Sequence, residues 1–448
     1  MSRELALKVL VDILQKGAYS NISLNKCLNK NSLKDCDKAF ITELVYGILK
    51  NKERLDYVIS KFSNIKIKKI SVWILNILRI GIYQLMFMDK VLAFAAVNES
   101  VKLAKKYGHT YSAKFVNGVL RNVAKNIDNI NYPDKDKNPV EYLSVWYSYP
   151  KWLVSRCLND FGYDFTKDFL ESSNEKPKFC IRVNTLKTTV ENLMNMLKND
   201  GIIVTKSEVS EYGLIIENPN KIVNSELYKK GYFTIQDESS MLVASVLEPR
   251  EDDIVVDVCA APGGKTGHIA EIMKNKGCIY ARDLYQHKIK LVEAMTKRLG
   301  ISNIKTKVFD ATNIDNDLLL KADKVLVDAP CTGLGIMRRK PDIKWNKENY
   351  DIIDIVNVQY IILENAAKYL KVGGTLVYST CTISREENID VVNKFLSNHH
   401  NFKMERIDKI LPKSLKSDTK EQGYIEFYPN VHKTDGFFIA KMKKIDKD

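Results

Sequence analysis

Residues 254–266 read Ile254-Val255-Val256-Asp257-Val258-Cys259-Ala260-Ala261-Pro262-Gly263-Gly264-Lys265-Thr266. The first five form a short, branched, apolar run, which is typical of a buried parallel strand. Gly263 and Gly264 follow where the strand turns into a helix, and glycines at such a turn let the backbone approach a ligand closely. This pattern predicts an open α/β sheet with a ligand beyond the carboxyl ends of its strands.

From residue 231 onward, apolar runs alternate with helical stretches. Strands are predicted at residues 254–258, 278–282, 305–309, 324–328, 375–379 and 437–442. Helices are predicted at residues 267–274, 287–299, 351–369 and 387–398. Alternation of this kind is typical of a mostly parallel sheet covered on both faces. We therefore expect residues 231–445 to form one α/β domain.

The first 230 residues have a different organisation. Residues 1–130 show helical spacing of apolar side chains nearly throughout, which predicts an all-α domain. A polar stretch with two prolines, 126–139, is interpreted as a linker. Residues 131–230 are expected to hold further helices and a small α/β module, with strands at 179–184 and 214–217 and a helix at 190–200.

The net charge of +14 is concentrated at the front of the 448-residue chain. Residues 1–130 contain 22 lysines and arginines against 10 aspartates and glutamates, whereas the remainder is nearly balanced, with 47 against 45. A basic domain beside a near-neutral one predicts an anionic partner, most simply a nucleic acid.

Composition also limits the class of protein. The apolar stretches 72–82 and 85–97 are interrupted by Arg79, Asp89 and Lys90, so no transmembrane helix and no membrane partner are expected. Eight cysteines occur without a CxxC pair or a histidine spacing suited to zinc. We therefore expect no metal, and reduced thiols in the cytoplasm.

The turn after residue 258 is suited to a nucleotide-like cofactor without a phosphate cradle. A P-loop would need a glycine where Cys259 stands, and the dinucleotide motif GxGxxG is absent. Asp283 follows the second predicted strand, the usual place for a carboxylate that binds ribose hydroxyls. Asp310 follows the third strand and could accept a hydrogen bond from an adenine amino group. These features favour S-adenosylmethionine.

Two cysteines follow further predicted strands. Cys331 lies in Asp328-Ala329-Pro330-Cys331-Thr332-Gly333, and Cys381 in Tyr378-Ser379-Thr380-Cys381-Thr382. A thiolate that adds to carbon 6 of cytosine makes carbon 5 nucleophilic enough to accept a methyl group. Asp328 could hydrogen-bond the amidine edge of that ring and help place a proton on nitrogen 3. The residues alone leave open which thiol attacks.

Residues 231–442 resemble the RNA 5-methylcytosine methyltransferases. The resemblance is carried by residues 233–240, 257–266, 283, 310, 328–335, 340–345, 379–388 and 435–438. It implies that Cys381 is the nucleophile and that Cys331 assists product release. It also implies that Lys265 is an orienting or salt-bridging residue at the cofactor. The residues implied to contact the cofactor are Cys259, Ala260, Ala261, Pro262, Gly263, Gly264, Lys265, Asp283, Asp310 and Asp328.

Residues 1–125 resemble the helical NusB-type RNA-binding domain, through residues 43–47, 78–85, 97–99 and 115–121. The fusion is similar to the bacterial 16S ribosomal RNA cytosine-5 methyltransferase family. The resemblance implies an N-terminal all-α NusB-like bundle, a small α/β, RRM-like linker module and a C-terminal Rossmann-like methyltransferase dependent on S-adenosylmethionine. The implied partner is 16S ribosomal RNA, methylated at the family's cytosine 967 site by a monomer that does not act on DNA.

Two other functions stay open at this point: a transfer RNA cytosine-5 methyltransferase, and a non-catalytic RNA-binding assembly or antitermination factor. Arg182, Lys340 and Lys344 are expected at the solvated surface, with RNA contact undecided. Arg282 precedes Asp283 where the resemblance favours a smaller or apolar residue.

Overall fold

The computed structural model describes residues 1–219, 222–223 and 225–446. They divide into a helical unit, Met1–Glu175 with Met337–Asn349, and a sheet-containing unit, Lys176–Ile336 with the chain from Tyr350 onward. The helical unit thus extends beyond the predicted all-α domain of residues 1–130 and includes the further helices expected after it. Residues 126–138 are held inside the helical unit, where the Tyr57 hydroxyl donates to the Asn131 carbonyl at 2.7 Å.

The helical unit packs its core from apolar side chains spaced three and four residues apart. Leu7, Leu44, Ile77 and Val116 are fully buried there. Across the described part of the chain, no helix is both long enough and apolar enough to traverse a bilayer. The first helices are α1 Ser2–Lys16, α2 Ser20–Lys30, α3 Asp35–Phe62, α4 Val72–Phe87, α5 Ala93–Tyr107, α6 Thr110–Lys125, α7 Pro139–Tyr147, α8 Lys151–Phe161 and α9 Tyr163–Ser172.

The sheet-containing unit begins with the small α/β module. Its elements are β1 Phe179–Val183, α10 Val190–Asn199, β2 Val204–Lys206, β3 Gly213–Ile216, α11 Glu226–Lys229 and β4 Phe233–Ile235. The strands pair antiparallel in the order β2-β3-β1-β4. Leu193 and Leu197 of α10 pack on this sheet and are fully buried.

The rest of the unit follows the predicted strand–helix alternation, and all six predicted strands are confirmed within one to five residues. The elements are α12 Glu238–Leu247, β5 Ile254–Asp257, α13 Gly264–Ile272, β6 Cys278–Asp283, α14 Gln286–Leu299, β7 Ile304–Val308, β8 Ala322–Asp328, α15 Ile343–Asn346 (in the helical unit), α16 Tyr350–Ala367, β9 Leu370–Thr380, α17 Ile389–Asn398, β10 Phe402–Met404, β11 Tyr424–Phe427, α18 Pro429–His432 and β12 Phe437–Lys444.

The large sheet has the order β10-β12-β9-β8-β5-β6-β7, with β11 paired to β12. Strands β5 to β9 pair with one another in parallel, whereas β12 runs antiparallel to β9. The sequence-based prediction missed β10 and β11, because strands of three and four residues leave little periodicity to detect. The parallel arrangement brings the carboxyl ends of β5, β6, β7, β8 and β9 to one edge.

Candidate active site

A cavity of about 530 Å³ lies at the carboxyl ends of the parallel strands. Seven of the predicted site residues line it: Cys259, Ala261, Asp283, Asp310, Asp328, Cys331 and Cys381. The other five predicted residues are not among the lining residues, namely Ala260, Pro262, Gly263, Gly264 and Lys265. Its apolar walls include Leu284, Tyr285, Phe309, Val358 and Ile362. Apolar walls with a few placed carboxylates suit a heterocyclic ligand with polar edges.

Backbone contacts attach the loop after β5 to the end of β6. The Ala260 amide donates to the Arg282 carbonyl at 2.8 Å, and the Ala261 amide donates to an Asp283 carboxylate oxygen at 3.2 Å. Gly263 has a φ of 106°, and a Cβ atom there would lie 2.4 Å from Met295 Cε. The loop therefore requires glycine at this position, although residue 263 itself does not face the cavity.

Asp257 lies buried beneath this loop. It accepts hydrogen bonds from the Thr266 hydroxyl at 2.7 Å and from the Cys259 amide at 3.3 Å. Burial, with the nearby charge of Asp328, raises the pKa of Asp257 to about 7, against the opposing effect of the Thr266 hydrogen bond. The carboxylate therefore helps to hold the loop from within.

The two carboxylates predicted to bind the cofactor occupy adjacent strand ends. Asp283 ends β6, is 7% exposed, and lies 3.6 Å from the Lys288 ammonium. Asp310 follows β7 and accepts from the amide and the hydroxyl of Thr312 at 2.9 and 2.7 Å. Both line the cavity beside its apolar walls, so the arrangement fits a ribose and an adenine ring.

Lys265 and Asp328 form an ion pair of 2.6 Å next to the thiols. The second Asp328 oxygen accepts from the Ser379 hydroxyl at 2.9 Å. Burial alone would lower the pKa of Lys265, but the charge and hydrogen bond of Asp328, with a smaller contribution from Cys381, raise it. Lys265 is therefore a cation whose field favours negative charge on the sulfur of Cys381.

The two predicted thiols meet at the edge of the cavity, where the sulfur atoms of Cys331 and Cys381 are 3.3 Å apart. Their interaction raises the pKa of Cys331 well above its ordinary value, and burial and the charge of Glu387 act in the same direction. Cys331 is consequently a neutral thiol that can donate a hydrogen bond to Cys381.

The sequence-based prediction missed a buried carboxylate beside the two thiol loops. Glu387 accepts hydrogen bonds from Thr332, Gln359 and Thr382. The predicted helix 387–398 begins only at Ile389, so Glu387 lies in the turn before α17. The one feature of the sequence that points to this contact is that both cysteines are followed by threonine, since the two threonine hydroxyls donate to Glu387.

Of the three basic residues expected at the solvated surface, Lys340 is partly exposed and the other two are buried. The expectation that Arg182 and Lys344 are solvated is wrong, since they are 0% and 1% exposed. Arg182 pairs with Glu271 at 2.8 Å and donates to the Gly264 carbonyl at 2.6 Å. Arg282 is 6% exposed and lies 3.1 Å from Asp315, which explains how a charged side chain is accommodated before Asp283.

Family models match three parts of the chain. The model described as 16S rRNA methyltransferase RsmB/F matches residues 244–443, and that of the NusB family matches residues 1–125. A third, the ferredoxin-like domain of RsmF/B-like methyltransferases, matches residues 149–223. These matches agree with the predicted N-terminal bundle, small α/β module and C-terminal methyltransferase.

Similar proteins cover nearly the whole chain. A protein of Bacillus subtilis (strain 168) named "Probable ribosomal RNA small subunit methyltransferase B" is 38% identical over 99% of this chain and 98% of its own length. The crystal structure of PH0851 superposes with a TM-score of 0.82 at 30% identity, covering 98% of both chains. The structure of NSun6 from Pyrococcus horikoshii with SFG has a TM-score of 0.60 at 29% identity, covering 67% of this chain and 99% of that one. The chain belongs to the RsmB/F family of 16S ribosomal RNA methyltransferases.

Proposed function

We propose that this protein transfers a methyl group from S-adenosylmethionine to carbon 5 of a cytosine in 16S ribosomal RNA, at the family's cytosine 967 site, through a covalent bond between Cys381 and carbon 6. One observation carries the proposal: two thiols 3.3 Å apart at the edge of a cavity, beside the Lys265–Asp328 ion pair. S-adenosylmethionine supplies an electrophilic methyl group. The groups suited to hold it are the loop 259–264, Asp283 and Asp310.

The charges around the two sulfurs favour Cys381 as the nucleophile. The pKa of Cys331 is raised well above the ordinary thiol value, first by its hydrogen bond with Cys381. Lys265, in contrast, interacts favourably with negative charge on Cys381. A pair with one thiolate and one thiol is the arrangement that nucleophilic attack needs, because only the thiolate attacks.

Attack by Cys381 precedes methyl transfer. The electron pair of the Cys381 thiolate forms the bond to carbon 6, and the carbon 5–carbon 6 π electrons become available at carbon 5. Carbon 5 takes the methyl group, and the sulfonium sulfur keeps the electron pair of the broken bond, giving S-adenosylhomocysteine. Asp328, which Lys265 and Ser379 hold in place, is suited to accept from the cytosine amino group and orient the ring.

Release requires loss of the carbon 5 proton. The electron pair of the broken carbon 5–hydrogen bond re-forms the carbon 5–carbon 6 double bond. The bond between carbon 6 and sulfur then breaks, and its electron pair leaves with the Cys381 thiolate. Once Cys381 is bonded to carbon it no longer carries the charge and hydrogen bond that raise the pKa of Cys331. Because Cys381 then no longer raises the pKa of Cys331, the Cys331 thiol can release its proton to solvent. The resulting thiolate takes the carbon 5 proton and ends the step as a thiol.

The RNA partner is supported by a basic groove between α5 and α6, which we call the α5–α6 groove. Its volume is about 670 Å³, and it is lined by Val101, Lys105, Thr110, Ala113, Lys114 and Asn117. No aspartate or glutamate occurs between Glu99 and Asp128, whereas six lysines and arginines do. An exposed cationic groove of this kind attracts the phosphates of RNA.

The function is tested with labelled S-adenosylmethionine and 16S RNA. Cys381→Ala should abolish transfer, and Cys331→Ala should accumulate a protein–RNA adduct that resists SDS. Cys278→Ala, a cysteine of β6 outside the cavity lining, is the matched control and should keep activity. Full transfer by Cys381→Ala would overturn the proposal.

The same preparation tests the substrate. Bisulfite sequencing of the methylated 16S RNA should show one protected cytosine at the proposed site. Methylation of transfer RNA in preference to 16S RNA would replace the substrate while leaving the chemistry intact. Absence of S-adenosylmethionine binding in calorimetry would instead indicate a non-catalytic RNA-binding factor.

A further inference from the structure

The two cysteine loops have the same dipeptide, Cys331-Thr332 and Cys381-Thr382, and one buried carboxylate contacts both. One oxygen of Glu387 accepts from the Thr332 hydroxyl at 2.5 Å and from the Thr382 hydroxyl at 3.1 Å. The other oxygen accepts from the Thr332 amide at 2.8 Å and from the Gln359 amide at 3.1 Å. Four donors from three segments thus converge on a side chain that is 0% exposed.

Neighbouring contacts fix the loops on the other side of each cysteine. Gln359 also donates to the Pro330 carbonyl at 2.9 Å, immediately before Cys331. Asn388 accepts from the Thr380 hydroxyl at 2.5 Å and donates to the Thr382 carbonyl at 3.2 Å, which fixes both flanks of Cys381. The two thiol loops are therefore attached to one hydrogen-bonded centre at residues 387–388.

The backbones of these loops also approach closely. The Gly335 amide donates to the Cys381 carbonyl at 3.0 Å, and a Cβ atom on Gly335 would lie 2.0 Å from the Gly436 carbonyl oxygen. Only glycine fits at position 335, so the contact between the loops does not depend on Glu387 alone. Loss of the carboxylate should displace the sulfurs without unfolding the site.

We propose that Glu387 is a positioning residue that sets the separation of the Cys331 and Cys381 sulfurs and thereby couples release of the methylated base to attack. The inference rests on the proposed function. The sulfur bonded to carbon 6 and the base that takes the carbon 5 proton must reach adjacent atoms of one ring. A displacement of about 1 Å in such an arrangement costs roughly 100-fold in rate.

The centre is arranged for a carboxylate, because the two oxygens of Glu387 each accept two hydrogen bonds. A glutamine has one oxygen only. Its NH2 group would either face the two N–H donors or force the Thr332 and Thr382 hydroxyls to change from donors to acceptors. Glu387 is not among the residues that line the cavity, so its replacement should leave cofactor binding intact. Release is the step that should suffer most.

The test compares Glu387→Gln with Glu364→Gln. Glu364 lies on α16, as Gln359 does, and contacts His399 at 3.1 Å and the Tyr360 hydroxyl, which makes it a matched control. Glu387→Gln should lower kcat about 10- to 100-fold, keep the affinity for S-adenosylmethionine measured by calorimetry, and accumulate an SDS-resistant adduct. Glu364→Gln should match the native enzyme in all three.

A second pair of variants keeps the proposal testable if Glu387→Gln is poorly folded. Thr332→Val removes one hydroxyl donor and should also accumulate adduct, whereas Thr332→Ser retains the hydroxyl and should restore turnover. Native turnover and no added adduct in both Glu387→Gln and Thr332→Val would overturn the inference. If Cys331→Ala forms no SDS-resistant adduct that is lost when Cys381→Ala is added to it, the proposed function fails instead, and the two failures are distinguished.

Discussion

Asp257 shows how burial of a single residue can make the stability of a whole unit depend on pH. Its pKa is raised to about 7, mainly by burial, while an unfolded chain would release this proton near its ordinary value of 3.8. Between these values the folded state binds more protons than the unfolded state. Stability therefore falls as pH rises from about 4 to 7 and is constant above that, at about 1.4 kcal/mol per pH unit at most.

We expect Asp257→Asn to remove this pH dependence, because asparagine has no proton to release. The free energy of unfolding of the native protein, relative to the variant, should decrease between pH 5 and 7 and then level off. Hydrogen–deuterium exchange of β5 measures this free energy of unfolding within the sheet-containing unit. The rates are corrected at each pH for the exchange rate of unfolded peptide. Asp252→Asn, at an exposed position before β5, is the control. A constant difference between native and Asp257→Asn would contradict the prediction.

At the residue scale, the sequence predicted the groups that follow parallel strands. Cys331, Cys381, Asp283, Asp310 and Asp328 each stand just after or at the end of such a strand, so topology alone brings them together. Glu387 could not be found this way. A glutamate at the start of a predicted helix is usually a solvated group that interacts with the helix dipole, and only the tertiary fold buries it.

The α5–α6 groove can be tested as an RNA-binding surface. Within the described residues, Lys105 and Lys114 have no carboxylate at ion-pair distance, whereas Lys102 and Lys106 pair with Glu99 and Glu4. Replacing Lys105 and Lys114 together by alanine should weaken binding to 16S RNA. It should also reduce the slope of log affinity against log salt by about 2, one per lost phosphate contact.

The matched control for this surface is the pair Lys26 and Lys30, two exposed lysines that lie four residues apart on α2 and thus on one face of that helix. Their double alanine variant should leave the salt slope unchanged. Equal losses in the two double variants would show that binding is distributed over the helical unit, and the assignment to the α5–α6 groove would be wrong. Neither variant should change the affinity for S-adenosylmethionine.

The elements themselves were predictable to different degrees. Strands with β-branched residues and flanking breakers, such as β5 and β8, were found because both signals agree. The polar, proline-containing stretch 126–139 has the composition of a linker. In the structure Tyr132 of that stretch stacks on Tyr57, and Arg54 lies over its ring, so aromatic contacts fix it to α3.

The helical unit includes one segment that lies far along the chain from its other residues. Residues 337–349 follow the Cys331 loop in sequence but belong to the helical unit. There Asp342 accepts from the hydroxyl and amide of Ser20, and the Trp345 indole donates to the Leu49 carbonyl at 2.7 Å. Sequence periodicity could not predict this, because the partners lie about 300 positions apart.

Lys344 of this segment provides a test of how the helical unit is stabilised. Its side-chain nitrogen lies 2.7 Å from the Asn174 side-chain oxygen and 3.5 Å from the centre of the Tyr149 ring. Burial, with a smaller effect of Lys50, lowers its pKa well below the ordinary value of 10.5. The unfolded chain therefore binds this proton more tightly than the folded unit does, so stability rises with pH until about 10.5.

Lys344→Met should remove this dependence while nearly filling the same volume. Relative to the variant, the native helical unit should gain stability between pH 7 and 9.5, by about 1.4 kcal/mol per pH unit at most. All four tryptophans, at positions 73, 146, 152 and 345, lie in this unit, so urea unfolding followed by tryptophan fluorescence reports on it selectively. Asn346→Ala, an exposed change in the same segment, should show the native pH dependence. If the native protein and Lys344→Met keep a constant difference over this range, Lys344 stays protonated in the fold, because its contacts with Asn174 and Tyr149 then outweigh the cost of burying its charge.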